Sequence, residues 1–215
     1  EPRDVKGTKF VVERMFDPHA DDQVNTYLPT ERRVRRFSAK ERADSFMGSN
    51  VTLDDFEGFS GRVLDYTWSF IGSRQILAVS NMEKELINVY GPNSRALQHK
   101  YQLRDCYVTE VKSVWKGHPY KRRILFIDKE TFNIPVSLIF DQDDKLWKVM
   151  QTVTSSPSSA TEIEKSVPSW RGQITVDLKA NNATVVRAKT PTLHPVMKPK
   201  EIKRVFAVST LTEGR

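Results

Sequence analysis

The chain has 215 residues, of which 38% are hydrophobic and 28% are charged, and its formal net charge is +7. This composition is typical of a globular protein and excludes an intrinsically disordered chain. No run approaches the roughly 18 apolar residues of a transmembrane helix, so we expect no helical membrane span. The positive charge favours anionic partners such as phospholipid headgroups, nucleic acid or acidic protein surfaces.

The N-terminal part of the chain predicts β-strands. Residues 6–16 predict a first strand that ends in a turn, because a proline and several acids follow it. Residues 23–38 predict a hairpin whose turn contains Pro29. Two β elements therefore precede the first break in the alternating pattern.

A short helix is predicted after this hairpin. Thr52 and Asp55 have the spacing of a capping box, in which the side chain of each residue accepts a hydrogen bond from the backbone N–H of the other. The pattern predicts a helix of one or two turns over residues 52–57, ended by Gly58.

The segment that follows, VLDYTWSFIGSRQILAVS, alternates strictly between apolar and polar side chains. Tyr66, Trp68 and Phe70 share one face of the predicted strand. Gly72 and Ser73 predict a turn that folds this segment back on itself as a hairpin.

Residues 101–153 carry the clearest pattern in the chain. Four apolar-alternating segments are joined by only two to six turn residues, which is too short for a parallel crossover. They therefore predict an antiparallel meander. The first of them places these side chains on one face: Tyr101, Leu103, Tyr107, Val111 and Trp115.

The C-terminal part predicts a loop, a hairpin and a helix. Residues 155–169 are polar and rich in Ser and Pro, as in a loop. GQITVDL and TVVRA predict a hairpin, and Pro199 predicts the first turn of a helix. In that helix Ile202, Val205 and Phe206 lie on one side.

These elements amount to about nine to eleven strands with two or three short helices. We expect one mainly β domain over residues 1–215, because all-β domains often reach this length. An antiparallel sheet of so many strands curves strongly, which predicts either a closed, lipocalin-like barrel or a half-open barrel with short helices over its concave face. The helices are too few to fill that face, so an apolar cavity is predicted.

No motif in the sequence indicates catalysis. The histidines are scattered without a metal-ligand spacing, and the acidic segments DPHADD and DQDDK are typical of turns. Cys106 lies in a predicted strand, where a buried, inert thiol is expected. We therefore expect no enzyme, no metal and no cofactor, although a hydrolase with dispersed carboxylates stays an open alternative. The four histidines are His19, His99, His118 and His194.

The densest basic run is ERRVRRF, residues 31–37. As a strand it distributes its charge over both faces. This pattern is more typical of charges that protect an edge strand from aggregation than of a nucleic-acid interface. No nucleic-acid-binding module is recognisable. A second hypothesis makes this run a docking surface for a protein partner or an anionic membrane. The docking residues would be Arg32, Arg33, Arg35 and Arg36.

Several segments together resemble a known family. They are FMGSNVTLDDFEGF, DYTWSFIGSRQILAV and YVTEVKSVWKGHPYKRRILFIDKETFNIPVSLIFDQDDKLWKVM, and the tail GQITVDLKANNATVV. Over most of residues 24–206 the chain is similar to the outer-membrane lipoprotein-sorting-like proteins of the LolA/LolB superfamily. Its tail resembles a branch that often stands beside exporters of the resistance-nodulation-division (RND) type.

The resemblance implies a periplasmic, non-enzymatic carrier whose half-barrel holds acyl chains. The chain begins at Glu1 with no apolar leader, which fits either a mature protein whose signal peptide has been removed or a shortened sequence; the resemblance favours the first. The implied partners are a lipid or lipoprotein acyl chain, an RND-type exporter and an outer-membrane acceptor. The alternative is an adaptor that docks an exporter or anionic membrane without carrying cargo. Candidate cavity residues are Tyr66, Trp68, Phe70, Tyr107, Val111, Trp115, Phe126, Leu138, Phe140 and Trp147.

Overall fold

The computed structural model describes residues 5–38, 40–80, 82, 86–155, 168–188 and 198–213. Within these residues the strands form three antiparallel sheets. The N-terminal sheet consists of β1 (Lys9–Glu13), β2 (Gln23–Leu28) and β3 (Arg33–Phe37). The large sheet consists of β4 (Tyr66–Ala78), β7 (Gln102–Ser113), β8 (Arg122–Asp128), β9 (Val136–Phe140), β10 (Leu146–Ser155), β11 (Ser169–Asp177) and β12 (Asn182–Arg187). A two-stranded ladder pairs β5 (Val89–Tyr90) with β6 (Ala96–Leu97).

The large sheet is an open meander. Its order is β12-β11-β10-β9-β8-β7-β4, so consecutive strands from β7 onward are neighbours and every pair is antiparallel. Its two edge strands, β4 and β12, do not pair with each other, and the sheet is not closed. The predicted mainly β, half-open fold is confirmed. Most of the predicted loop over residues 155–169 lies outside the described residues.

One predicted turn is wrong. Gly72 and Ser73 lie inside β4, a single strand of 13 residues, and do not turn the chain back. β4 pairs along its length with β7, and the register shifts between Phe70 and Gly72. The long neighbouring strand explains the difference, because one extra residue is accommodated as a β-bulge when a continuous partner is present.

The helical elements are short. The predicted helix over 52–57 is a 3₁₀ turn, in which the N–H of Thr52 donates to Asp55 Oδ2 at 2.8 Å. Glu57, with φ of 58°, interrupts it. The predicted C-terminal helix is confirmed as α1 (Pro199–Val205). The 3₁₀ turns are Lys40–Ala43, Phe46–Gly48, Leu53–Gly58, Val63–Asp65, Pro92–Ser94 and Val208–Thr212.

The hydrophobic core is divided into separate clusters. The largest lies between the segment that contains β5 and β6 and the end of the large sheet at β10–β12. A second cluster joins the 3₁₀ turn at Leu211 to β1 and β2. A third packs Phe59 and Tyr66 against Leu125. Segments before and after β4 therefore cover different parts of the large sheet.

Candidate functional site: two faces of the large sheet

The two faces of the large sheet differ in chemistry. Register places one side chain from each of five neighbouring strands in a row formed by Val111, Arg123, Ile139, Lys148 and Asp177. Because side chains alternate along each strand, the intervening residues point to the opposite face. A row on that face is formed by Ile124, Leu138, Val149, Val176 and Ala183. We call the first the network face and the second the aliphatic face.

Residues 50–58 cross the network face, and we call them the crossing segment. At the centre of the face, the sheet and the crossing segment are joined by an ion pair. Arg123 Nη1 donates to Asp55 Oδ1 at 2.6 Å, and the two side chains are 1% and 0% exposed. The hydroxyl of Tyr120 donates to Asp55 Oδ2 at 3.0 Å. Burial alone would lower the pKa of Arg123, but Asp55 and its neighbours raise it above the ordinary value. Asp55 is therefore a buried, fully engaged anion.

The adjacent carboxylate, Asp54, connects the crossing segment to the N-terminal sheet. Tyr66 donates its hydroxyl proton to Asp54 at 3.0 Å, and Arg42 Nε donates to it at 2.8 Å. Arg42 also lies 3.1 Å from Asp22, next to β2. Burial raises the pKa of Tyr66, so the phenol keeps its proton. Both carboxylates of the turn are thus paired with buried cations.

His118 joins this network as a neutral ring. Its Nδ1 accepts the N–H of Tyr120 at 3.0 Å, and its Nε2 lies 3.3 Å from the hydroxyl oxygen of Tyr66. The neutral ring therefore carries its proton on Nε2 and donates to Tyr66. Burial, reinforced by the charge of Arg123, lowers the pKa of His118 to about 4.

Sheet side chains also bind the backbone of the crossing segment. Lys148 Nζ, Gln173 Nε2 and Ser137 Oγ donate to three of its carbonyl oxygens at 2.8, 3.2 and 3.0 Å. Burial lowers the pKa of Lys148. Buried carbonyl groups need such partners because water is excluded. These polar residues therefore clamp the crossing segment onto the sheet.

The described residues show no arrangement suited to metal binding. No group of three or more His, Cys, Asp or Glu among them is placed to hold a metal ion. Cys106 is buried, as predicted, and burial raises the pKa of its thiol to about 11. His194 lies outside the described residues. The two buried carboxylates of the crossing segment, Asp54 and Asp55, are both ion-paired.

Within the described residues, the core cluster covers one end of the aliphatic face. Val79, Met82, Ile87 and Leu97 pack there against β10 and β11. On this face Ile124 of β8 is buried. Other apolar side chains of the face over β8–β10 are half-buried, namely Phe126, Val136, Leu138, Phe140 and Val149.

A cavity of about 760 Å³ adjoins the covered end. Val79, Met82 and Leu97 belong both to its wall and to the core cluster on the aliphatic face. Tyr101, another wall residue, hydrogen-bonds to Gln151 of β10. Small-molecule pockets typically measure about 300–1,000 Å³. The other wall residues are Ser80, Tyr90, Gln98, His99, Lys100 and Gln102.

The ten predicted cavity residues are divided between the two faces. Those on the network face are Tyr66, Trp68, Phe70, Tyr107 and Val111. Those on the aliphatic face are Phe126, Leu138 and Phe140. Trp115 and Trp147 contact the network, with ring centroids 6.0 Å from His118 and 5.6 Å from Tyr120. None of the ten lines the 760 Å³ cavity. Ligand binding by them stays a prediction.

The four predicted docking arginines do not form a uniform basic surface. Arg33 and Arg35 pair with neighbouring glutamates at 2.5 and 3.1 Å. Arg35 and Arg36 are adjacent on β3 and point to opposite faces. Arg32 lies in the turn before β3, with φ of 52°. A docking role for these residues stays a prediction.

Sequence patterns did not reveal the network. The capping-box spacing identified Asp55 only as a helix cap, whereas its principal partner is Arg123. A signal is nevertheless present in β8, where Arg123 is in phase with the buried Leu125. A charge at a buried strand position requires a buried partner.

Comparison with known proteins identifies the family. Residues 1–212 match the DUF1329 family, described as proteins of unknown function, and the chain belongs to this family. No curated protein matches the sequence. No helix in the described part of the chain is long and apolar enough to cross a membrane.

Two solved structures share the fold of this chain, and a third is more distantly similar. A Vibrio parahaemolyticus domain named for outer membrane lipoprotein sorting has a TM-score of 0.67 and 17% identity, covering 99% of this chain and 74% of its own. A DUF1329 protein from Desulfovibrio piger has a TM-score of 0.65 and 20% identity, covering 98% and 73%. A LolA superfamily protein from Nitrosomonas europaea has a TM-score of 0.45 and 14% identity, covering 84% and 65%. The first two structures confirm the predicted resemblance to a lipoprotein-sorting-like domain at the level of the fold.

Proposed function

We propose that this protein is a periplasmic carrier that binds a lipid, a lipoprotein acyl chain or another hydrophobic molecule and moves it between the inner and outer membranes. The observation that carries the proposal is the half-covered aliphatic face beside a cavity of about 760 Å³. The fold shared with a domain named for lipoprotein sorting supports the same function. An RND-type exporter and an outer-membrane acceptor are the proposed partners.

The half-buried side chains of the aliphatic face provide a surface on which an acyl chain can lie. Phe126, Leu138 and Phe140 are the predicted cavity residues that this proposal places at the ligand. Each methylene removed from water contributes about 0.8 kcal/mol, so ten would contribute roughly 8 kcal/mol. Association itself costs roughly 4–15 kcal/mol. The two terms are comparable, which suits a carrier that must also release its cargo.

The cavity wall supports an amphiphilic cargo over a pure hydrocarbon. Its apolar part is formed by Val79, Met82 and Leu97. The remaining wall includes polar side chains, among them Gln102 and the exposed Lys100. An apolar tail and a polar headgroup therefore both find complementary surroundings.

A serine-to-tryptophan pair tests this proposal. Ser80 lines the cavity, whereas Ser73 is exposed on β4 and points to the network face. We expect Ser80→Trp to fill the cavity and weaken binding of a fluorescent fatty acid by at least roughly 10-fold, with Ser73→Trp unchanged. Native mass spectrometry of protein purified from a bacterial host should show bound lipid in the parent chain.

Two outcomes would contradict the carrier function. One is a parent protein that neither retains lipid during purification nor binds the fluorescent fatty acid. The other is equal binding by Ser80→Trp and the parent, which would remove the cavity from the ligand site. Thermal unfolding of both variants serves to confirm that the fold is retained.

A further inference from the structure

Among the described residues, none packs closely enough on helix α1 to bury any of its side chains. It has seven residues and none of them is buried. On its apolar side, Ile202 and Val205 and the adjoining Phe206 are 43%, 45% and 51% exposed. Helices this short are unstable by propensity alone and are usually held by burial of their apolar side. The described chain does not provide that burial.

The apolar side of α1 continues onto the N-terminal sheet. Val205 and Phe206 line a groove of about 450 Å³ together with Phe10 and Val12 of β1. Phe10 and Val12 are 42% and 36% exposed, and β1 is an edge strand. We call Phe10, Val12, Ile202, Val205 and Phe206 the C-terminal apolar surface. Its residues come from opposite ends of the chain.

Cations accompany this surface on α1 and at the start of β1. Arg33 and Arg35 pair with glutamates, but the cations of α1 have no carboxylate partner among the described residues. The acid of the helix, Glu201, accepts the N–H of Lys198 at 2.9 Å and so caps the backbone. Lys9 Nζ donates to a backbone carbonyl. The cations are Lys9, Lys198, Lys200, Lys203 and Arg204.

We propose that the C-terminal apolar surface docks on an anionic lipid membrane. The apolar side chains would enter the boundary between headgroups and acyl chains, and the flanking cations would contact lipid phosphates. A short basic helix with aromatic and aliphatic residues on one side is the pattern of interfacial membrane binding. Anionic lipid matches the charge of all five cations without requiring fixed partner positions. The proposal goes beyond cargo binding, because it concerns how the protein reaches a membrane.

Co-sedimentation of the full chain with vesicles tests this docking. We expect binding to phosphatidylcholine vesicles that contain phosphatidylglycerol, weak binding without it, and a decrease with added salt. Each cation near an anionic surface contributes roughly 5-fold to binding. Lys200→Glu/Lys203→Glu should therefore weaken binding at least roughly 20-fold, and Phe206→Asp at least roughly 10-fold.

Matched controls separate this surface from general effects. Phe132, in the β8–β9 turn of the large sheet, is 71% exposed, so Phe132→Asp should bind vesicles like the parent. Lys116→Glu/Lys145→Glu, at exposed positions between strands of the large sheet, changes the net charge as much as the double lysine reversal does, and it should have a much smaller effect.

The proposal is overturned by no binding to the anionic vesicles at low salt, or by equal losses in the α1 variants and their controls. Fatty-acid binding should persist in the α1 variants. Loss of vesicle binding alone therefore leaves the carrier function intact, and loss of fatty-acid binding alone leaves membrane docking intact.

Discussion

Arg123 on β8 and Asp55 in the crossing segment form an ion pair of 2.6 Å, although they are 68 residues apart in the chain and almost wholly excluded from solvent. The pair joins the large sheet to the segment that covers its network face. Two buried charges cost desolvation energy, so the pair is a weak source of net stability while it is complete. Removal of one partner exposes the full desolvation cost of the other.

Asp55→Asn should destabilise the protein strongly. Arg123 would keep its charge without a counterion, which costs roughly 3–5 kcal/mol of unfolding free energy. Urea titration measures this loss. Arg33→Gln removes one partner of an exposed pair and should cost at most about 1 kcal/mol. A loss below about 1 kcal/mol in Asp55→Asn would show that the buried pair is not a structural junction.

The meander over residues 101–153 was predictable because its information is local. Alternating side chains define each strand, and short connections leave only antiparallel neighbours. The faces of Tyr66, Trp68 and Phe70 followed from the same period of two, and register confirms that they share one face. Capping chemistry also located the turn at Thr52, although not its 3₁₀ geometry.

The remaining features depend on residues distant in sequence. The bulge after Phe70 required the length of β7, which the sequence of β4 does not contain. The pairing of Arg123 with Asp55 required the crossing segment to lie on the sheet. The residues that line the cavity near Leu97 show no regular alternation of apolar and polar side chains in the sequence. Tertiary packing brings them together, so the sequence pattern could not indicate the cavity. The pattern of aromatic residues predicted one shared cavity. In the structure, however, the predicted residues of β8 and β9 lie on the opposite face of the sheet from those of β4 and β7.

His118 should make the protein less stable as pH falls. Its pKa is lowered from 6.5 to about 4 in the folded state. Between these values the unfolded chain binds a proton that the folded chain does not, so stability present above pH 6.5 is lost progressively toward about pH 4. The full contribution is roughly 3 kcal/mol.

The variant His118→Gln tests that pH dependence. Unfolding free energies at about pH 7 and about pH 4.5 should differ by roughly 2 kcal/mol less in this variant than in the parent. His19 is exposed, so His19→Gln should leave the difference unchanged. An unaltered pH dependence in His118→Gln would assign the effect to other groups.

Asp128 should contribute stability through the β8–β9 turn. It accepts hydrogen bonds from Arg104 at 2.5 and 2.9 Å and from two backbone N–H groups at 2.9 Å. Burial would raise the pKa of Asp128, but Arg104 and the backbone donors lower it to about 2. Asp128→Ala should cost roughly 2–4 kcal/mol by urea titration, since several donors lose their acceptor. Asp143→Ala, at an exposed turn position, should cost less than about 0.5 kcal/mol.

Gly172 should tolerate no side chain. It lies on β11 where β10 and β11 shift register, with φ of 137°, and an added Cβ would lie 2.1 Å from the carbonyl oxygen of Val186. Relief of that overlap requires displacement of β12. Such a displacement is opposed because other residues of β12 pack against the core cluster.

Gly172→Ala should therefore lower the unfolding free energy by at least roughly 3 kcal/mol, as strained backbone and steric overlap combine. Gly91 provides a matched comparison, because it also has positive φ, of 80°, but nothing lies within 4 Å of its added Cβ. Gly91→Ala should cost only the backbone strain, roughly 1–3 kcal/mol, because φ of 80° and ψ of 175° lie in a region essentially restricted to glycine. Equal losses in the two variants would mean that β12 yields easily and does not hold this edge of the sheet in place.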